Sequence, residues 1–352
     1  MEDRKIRVAI THGDTNGIGY EVILKALEDP MMLELCTPII YGSPKVASYH
    51  RKAMELETQF YTINNAEDAN PDKVNLLVTF DEEVKVDFGQ PTDESAEAAR
   101  KAMARAKEDL QKGLFDVLIT GPVKANPNPP REDRALTMMA SDMVRIGLVT
   151  THLPIKDVSK AITKEAIIEK AKIFHQSLKR DFRISNPRIA VLSLNPHAGD
   201  NGLLGSEEQD VIKPAIEELE KMGIQAFGPY PADGFFGNNT YYHFDGVLAM
   251  YHDQGLAPFK TIALESGVNF TAGLPIIRTS PDHGTAYDIA GQGKADENSF
   301  RQAVYTAIDV YRNRQNYDEP LKNPLPKLFH EKRDDSEKVR FAIPKAKDAI
   351  ES

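Results

Sequence analysis

The sequence predicts an α/β protein of about two domains, and three observations support this. Its 352 residues exceed the size of about 250–300 residues at which single hydrophobic cores stop growing. Its composition, 41% hydrophobic and 27% charged, is typical of soluble globular proteins. Strand-like apolar runs alternate with helix-like patterns along the chain, which favours largely parallel sheets whose ligands bind outside the carboxyl ends of the strands.

The first elements follow from hydrophobic periodicity. Residues 5–13, KIRVAITHG, predict a strand and a turn, and residues 20–30, YEVILKALEDP, predict a helix. Residues 94–113 predict a second helix, which ends at Gly113. The apolar stripe of that helix consists of Ala99, Met103, Ala106 and Leu110. A strand, FDVLITG, follows over residues 115–121.

The second half continues the alternation after a break. The prolines of NPNPPRED, residues 126–133, exclude regular structure, so this segment is the expected crossing between domains. Thr163 is expected to cap a helix, and the strand RIAVLSLNP follows over residues 188–196. The stripe of that helix consists of Ile167, Ala171, Phe174 and Leu178. Ser206 and Gln209 predict a capping box at the start of the next helix.

Composition narrows the location and the partners. No apolar run approaches the ~20 residues of a membrane span, and the charged start MEDRKIRVAITHG is unlike a signal peptide, so a cytoplasmic protein is expected. The single cysteine, Cys36, cannot form an internal disulfide, which agrees with a reducing compartment. A net charge of −10 argues against a nucleic-acid partner. It leaves room for a local cluster of Lys and Arg that binds a phosphorylated substrate.

Three strand-like runs end in histidine, at His152, His197 and His252. If the strands share one sheet or flank one cleft, the three imidazoles converge at its carboxyl edge, where they would suit a catalytic divalent metal such as zinc, cobalt or nickel. Spacings of 45 and 55 residues are too long for a local metal motif. Each histidine alone would be an ordinary strand-end residue, and only the shared context favours a metal site.

Polar residues after His252 extend the candidate site. Asp253 is either a metal ligand, a partner of a ligand or a proton acceptor, or else it is a helix N-cap or a turn residue. Lys260, Asn269 and Arg278 recur at intervals of nine residues, and cations with an amide donor would suit a phosphate and a carboxylate. Taken separately, each of these three would be a surface residue.

The segment PDHGTAYDIAGQGKAD, residues 281–296, resembles the adenosine-binding loop of the β-decarboxylating isocitrate and isopropylmalate dehydrogenases. Its glycines permit close approach of backbone to a ligand. The expected cofactor contacts in it are His283, Gly284, Thr285 and Asp288. GDTNGIG, residues 13–19, lacks the glycine spacing of a Rossmann fingerprint, so a dinucleotide is predicted without a Rossmann site.

Several motifs in the same order resemble the 4-hydroxythreonine-4-phosphate dehydrogenase family of pyridoxal phosphate biosynthesis, over residues 5–315. They are GDTNGIGYE, TTHLP, NPHAG, MYHDQGL, GVNFTAGLPIIRTS and DHGTA. The resemblance implies an isocitrate/isopropylmalate dehydrogenase-like fold of two α/β/α domains with a cleft between them. The expected first domain is 1–125 plus 285–330, the second is 126–284, and 331–352 form a charged tail.

The resemblance also implies a function and its site. His152, His197 and His252 would bind zinc, cobalt or magnesium, while Lys260, Asn269 and Arg278 would contact substrate. NAD or NADP would oxidise 4-phosphohydroxy-L-threonine, and the β-keto acid would lose carbon dioxide to give 3-amino-2-oxopropyl phosphate, with Lys260 or Asp253 as the proton carrier. The active site would lie between the domains of a homodimer, completed by the partner subunit.

Two departures from the family pattern leave alternatives open. The glycine-histidine-threonine-glutamate motif that contacts substrate in the family is absent between Thr120 and His152. In addition, Ala125 occupies the position of a lysine in the family, and the lysine of this chain, Lys124, lies one position earlier. The alternatives are a threonate or erythronate 4-phosphate dehydrogenase of the same family, a non-catalytic relative, and a zinc hydrolase. The hydrolase would leave HGTAYDIAG without a purpose.

Overall fold

The computed structural model describes residues 4–80, 83–123, 135–263 and 266–324. The proline-rich segment 126–133, the altered Lys124 and Ala125, and the charged tail 331–352 lie outside these residues. No helix in the described ranges combines the length and the apolar character that crossing a bilayer requires.

Twelve strands are present in the described residues. They are β1 Ile6–Thr11, β2 Cys36–Gly42, β3 Phe60–Ile63, β4 Val74–Val78, β5 Val117–Thr120, β6 Leu136–Ala140, β7 Arg145–Leu148, β8 Arg188–Leu192, β9 Gln225–Tyr230, β10 Gly246–Ala249, β11 Val268–Ala272 and β12 Ile277–Pro281.

The α-helices of the same ranges alternate with these strands. They are α1 Gly19–Leu27, α2 Met31–Leu35, α3 Pro44–Ala53, α4 Asp93–Gln111, α5 Ile155–Ala161, α6 Lys164–Arg180, α7 Lys213–Lys221, α8 Ala232–Gly237, α9 His252–Ile262 and α10 Asn298–Lys322.

All described strands join one mixed sheet in the order β3-β4-β2-β1-β5-β12-β11-β6-β7-β10-β8-β9. The outer pairs on both sides are parallel, whereas β12 with β11, β11 with β6, and β6 with β7 are antiparallel. The central antiparallel strands therefore connect two parallel halves, one built from β1 to β5 and one from β7 to β10.

Helices cover both faces of this sheet. On one face, a large apolar cluster includes Ile10 of β1, Phe174 of α6 and Phe300 of α10. On the opposite face, α9 packs Phe259 on β7, β8 and β10, and α4 packs Ala102 and Ala106 on β1 and β2. The prediction of a mixed α/β fold is confirmed by this arrangement.

Several predicted elements are confirmed, and one is wrong. The stripe of α6 is fully buried, and Thr163 Oγ1 accepts a hydrogen bond from the Ala166 N–H at 3.1 Å. The capping box at Ser206 does not form, because the segment begins with a wide π-type turn over Glu208–Ile212 whose N-terminus has no side-chain cap. Pro214 lacks the N–H that would continue an α-helical ladder there.

Candidate active site

A cleft of about 640 Å³ crosses the middle of the sheet. Its floor includes Thr137 of β6, Asn269 of β11 and Ser280 of β12. These positions alternate with buried residues such as Phe270, which is why their polar side chains share the face that points into the cleft. One wall is formed by the segments that come directly after β5 and β12 in the chain. The other wall consists of His152 and α9.

His152 and His252 lie side by side on the second wall, with ring centroids 5.8 Å apart. Their proximity follows from the parallel pairing of β7 with β10. Beyond the paired strands, the Thr150 N–H and Oγ1 donate to the Met250 carbonyl at 3.2 and 2.7 Å, so both chains leave the sheet together. The expectation that strand ends would bring histidines together is met for this pair.

His197 follows β8, the neighbour of β10, in a backbone of unusual conformation. Residues 197–201 all have positive φ, and His197 has φ 52°. The buried Glu208 carboxylate fixes the backbone directly before this turn, because its Oε1 accepts hydrogen bonds from the N–H groups of Leu194 and Asn195 at 2.8 and 2.7 Å. A side chain at Gly199 would collide with Glu208, because an ideal Cβ would lie 2.6 Å from its Oε2.

The donor chemistry of the paired imidazoles fits a divalent metal. His252 Nδ1 lies 2.6 Å from Asp253 Oδ1, an arrangement that orients an imidazole and leaves Nε2 available for a metal. In the described part of the chain, no three His, Cys, Asp or Glu side chains are grouped closely enough to hold an ion. His197 does not line the cleft, so the three-histidine site stays a prediction.

One face of α9 lines the cleft with Asp253, Leu256, Ala257 and Lys260. These positions follow the i, i+3, i+4, i+7 spacing of a helical face. Asp253 lies inside the first turn of α9, where its side chain contacts His252, and the residue before the helix is Tyr251. The alternative that Asp253 is a helix cap is therefore wrong.

The other two predicted substrate residues occupy different places. Asn269 lies in the cleft floor opposite Ser280 in the antiparallel pair. Arg278 is on the same face of β12 as Ser280 but does not line the cleft. Its Nε and Nη2 donate to Thr271 Oγ1 at 3.2 and 3.1 Å. A role for Arg278 in substrate binding therefore stays a prediction.

The predicted cofactor loop begins in the cleft and then packs on the N-terminal turn. His283 and Gly284 line the cleft, whereas the Thr285 carbonyl accepts from the Ile18 N–H at 3.1 Å. Tyr287 donates its hydroxyl to Asp14 Oδ2 at 2.7 Å. Asp288 is exposed, and its carbonyl accepts from Gln292. Dinucleotide binding by this loop stays a prediction.

The glycine-rich turn over residues 13–19 packs closely against two other backbone segments. An ideal Cβ at Gly13 would lie 2.3 Å from the Pro122 carbonyl oxygen, and one at Gly17 would lie 2.8 Å from that of Thr285. These glycines permit backbone segments to touch.

Sequence reasoning missed Asp282, which lies in the cleft between Lys260 and His283. Lys260 Nζ donates to the Asp282 carbonyl at 3.0 Å and lies 3.3 Å from its Oδ1. Burial raises the pKa of the Asp282 carboxyl, although the nearby Lys260 ammonium acts in the opposite direction. Burial also lowers the pKa of His283. The only sequence signal for Asp282 was its position between a strand end and the HGTA loop.

A larger groove of about 1120 Å³ lies between α6 and α10. It is lined by residues such as Ile168, Leu274 and Leu321 and contains none of the predicted site residues. Volume alone does not indicate chemistry, so the smaller cleft with its histidines, lysine and carboxylates is the better candidate for the active site.

Comparisons with known proteins agree with this architecture. The 4-hydroxythreonine-4-phosphate dehydrogenase of Bacteroides thetaiotaomicron is 54% identical over 358 aligned positions, which cover 97% of this chain and 98% of the relative. The enzyme of the same name from Sulfurihydrogenibium is 38% identical, and the alignment covers 88% of this chain and 100% of the relative. The crystal structure of the Klebsiella pneumoniae enzyme of that name superposes with a TM-score of 0.74 at 27% identity, covering 88% of this chain and 99% of that chain.

A family model matches the chain in two segments. The model, described as the pyridoxal phosphate biosynthetic protein PdxA, matches residues 34–127 and 130–307. The interruption falls within the proline-rich stretch 126–133. The matched segments cover most of the chain, and the sequence resemblance is thereby confirmed: this chain belongs to the PdxA family of pyridoxal phosphate biosynthetic proteins.

Proposed function

We propose that this protein is an NAD- or NADP-dependent 4-hydroxythreonine-4-phosphate dehydrogenase. It oxidises the substrate hydroxyl to a ketone, and the resulting β-keto acid loses carbon dioxide to give 3-amino-2-oxopropyl phosphate for pyridoxal phosphate synthesis. One observation carries the proposal: a single cleft contains Lys260, Asn269 and paired imidazoles next to the HGTA loop. The names of the relatives support the substrate.

The chain's own side chains suggest a division of roles. His152 and His252, with His197, would hold a divalent metal, which supplies Lewis-acid chemistry at the substrate oxygens when bound. Asn269 can donate from its amide to a substrate oxygen on the cleft floor. The HGTA loop, with His283 and Gly284 at the cleft, would hold the adenosine part of the dinucleotide, which accepts hydride when bound.

Lys260 is the better placed of the two candidate proton carriers. Asp253 is 84% exposed and its carboxylate contacts His252, so it serves best to orient that imidazole. Lys260 presents its ammonium to the cleft between Asp282 and the floor. A lysine there can donate a proton to the carbon that carries the negative charge after carbon dioxide leaves.

The test is formation of reduced nicotinamide by purified, zinc-loaded protein given 4-phosphohydroxy-L-threonine and NAD or NADP. We expect reduction that requires the amino substrate and is lost after metal removal. His197→Ala should lose both turnover and bound zinc, because the third imidazole completes the predicted site; a zinc content equal to that of the unmodified protein would contradict the triad.

A second candidate is oxidation of threonate or erythronate 4-phosphate. The missing substrate motif between Thr120 and His152 favours it, since that motif contacts substrate in the family and its loss would change the pocket. Turnover of threonate 4-phosphate alone would keep the mechanism and change the pathway. Silence with both substrates would indicate a non-catalytic relative.

We also propose a homodimer whose active site the partner subunit completes. The described cleft is open, and Arg278 lies outside its lining, so additional phosphate contacts from a second subunit would complete it. Sedimentation velocity should give a mass close to twice the 39.2 kDa of one chain, and a monomer at assay concentrations would contradict this proposal.

A further inference from the structure

Discrimination between the two candidate substrates requires a group that recognises an ammonium. The proposed substrate carries an amino group, whereas threonate 4-phosphate carries a hydroxyl in its place. A buried carboxylate favours a cation over a neutral hydroxyl, because an unpaired charge in a partly desolvated site is costly. Among the described residues that line the cleft, two carry carboxylates: Asp253 and Asp282.

These two carboxylates differ in exposure and in partner. The side chain of Asp253 is 84% exposed and its Oδ1 contacts His252 Nδ1, so water screens any further interaction. The side chain of Asp282 is 19% exposed. A charge–charge contact is therefore worth more at Asp282 than at Asp253.

The surrounding backbone fixes the position of Asp282. Its N–H donates to Ser299 Oγ at 2.9 Å, and that hydroxyl donates to the Gly267 carbonyl at 3.0 Å. Asp282 Oδ2 lies against Gly267, where an ideal Cβ would be only 2.9 Å away. The carboxylate is thus held at the cleft wall before any ligand arrives, which reduces the entropic cost of binding.

Lys260 alone does not balance this carboxylate. Its ammonium lies 3.3 Å from Oδ1, yet the burial of Asp282 outweighs that attraction and the pKa of the carboxyl remains raised. A second cation beside Asp282 would compensate for the remaining cost of burial. The ammonium of an amino acid substrate, bound within the cleft, is a cation of suitable chemistry.

We propose that Asp282 determines specificity by binding the ammonium group of the substrate. This inference rests on the proposed function and refines it, because it assigns the preference for the amino substrate over four-carbon sugar-acid phosphates to one carboxylate. Lys260 shares the carboxylate and remains available to anionic groups of the substrate.

The test compares kcat/KM for 4-phosphohydroxy-L-threonine and for threonate 4-phosphate in zinc-loaded protein carrying Asp282→Asn. The asparagine keeps the shape and removes the charge. We expect the ratio of the two values to shift toward threonate 4-phosphate by about 10- to 150-fold, the range expected for losing a hydrogen bond to a charged group. Asp253→Asn is the matched control: it removes the other cleft carboxylate, and we expect the ratio to stay within about threefold of that of the unmodified protein.

The following results would overturn the inference. An equal loss for both substrates in Asp282→Asn would show that Asp282 acts only by positioning Lys260. A ratio that shifts in Asp253→Asn instead would move recognition of the ammonium to that residue. Calorimetric titration of the unmodified protein with both compounds separates failure of the proposed function from failure of this inference. If the protein binds neither compound, the proposed function fails and this inference fails with it. If it binds them and the ratio of kcat/KM values is unchanged in Asp282→Asn, only this inference is rejected.

Discussion

His12 is a fully buried imidazole whose ring stacks on Tyr20, with centroids 4.9 Å apart. Both ring nitrogens are buried. Burial lowers its pKa to about 4, and burial likewise lowers the pKa of the neighbouring His50 to about 4. Both residues are therefore neutral in the folded protein at physiological pH.

These two histidines should make stability depend on pH. Below their ordinary pKa of 6.5 the unfolded chain binds protons that the native state does not, so the free energy of unfolding should fall as pH decreases from 6.5 toward 4. Each histidine contributes about 1.4 kcal/mol per pH unit in that window. Urea unfolding at pH 7.5, 6 and 5 measures the slope, and His12→Phe, which keeps an aromatic ring on Tyr20, should reduce it; an unchanged slope would show that His12 does not titrate in this way.

At the level of single residues, the sequence indicated His152 and His252 but not Asp282. The two histidines each follow an apolar strand, and parallel strands bring their carboxyl ends to one edge. Asp282 gains its importance from Lys260 and Gly267, which lie 22 and 15 positions away along the chain. Contacts of this range leave no local pattern, so the sequence showed only that Asp282 lies between a strand end and the HGTA loop, and its contacts appear only in the folded molecule.

Helix α6 shows how far local patterns reach. Its stripe and its Thr163 cap were both predictable, because 3.6-residue periodicity and capping depend on neighbouring residues. The capping box predicted at Ser206 does not form, and the two glutamates that follow Ser206 bond to other parts of the chain. Glu207 accepts from Ser159 and Asn195, and Glu208 accepts from the backbone before His197.

The cap of α6 offers a direct test at the element scale. Thr163→Ala removes the oxygen that accepts from the Ala166 N–H and should lower the free energy of unfolding by about 1 kcal/mol. Thr163→Ser keeps that oxygen and should cost far less. Urea denaturation of both variants measures the difference, and equal losses would mean that the methyl group of Thr163, not the cap, provides the stabilisation.

Across the whole molecule, the order of strands was the least predictable feature. Local patterns favoured largely parallel sheets, and the parallel halves agree with that. The antiparallel β6, β11 and β12 between them depend on pairing between distant segments, as in β11 with β6, which no periodicity records. The division into domains at residues 125 and 285 stays a prediction.

A buried ion pair joins α10 to the end of α6. Arg314 Nε of α10 lies 2.6 Å from Asp181 Oδ1, at the end of α6, and both side chains are less than one-tenth exposed. Arg314→Leu would leave the Asp181 charge buried without its partner, and we expect a loss of about 3–5 kcal/mol in the free energy of unfolding. Arg312→Leu, an exposed change on the same helix, should cost less than about 1 kcal/mol; urea denaturation showing comparable losses would mean that the buried pair contributes nothing special.

The position of β12 has a consequence for synthesis of the chain on the ribosome. β12 pairs with β5, and α10 packs on both strands, yet β5 ends at Thr120 and β12 begins at Ile277. At a translation rate of about 5–20 residues per second, roughly 10–30 seconds separate the emergence of these strands. During that interval the edge of β5 lacks its neighbour, so the sheet of the nascent first half stays incomplete until β12 has been synthesised.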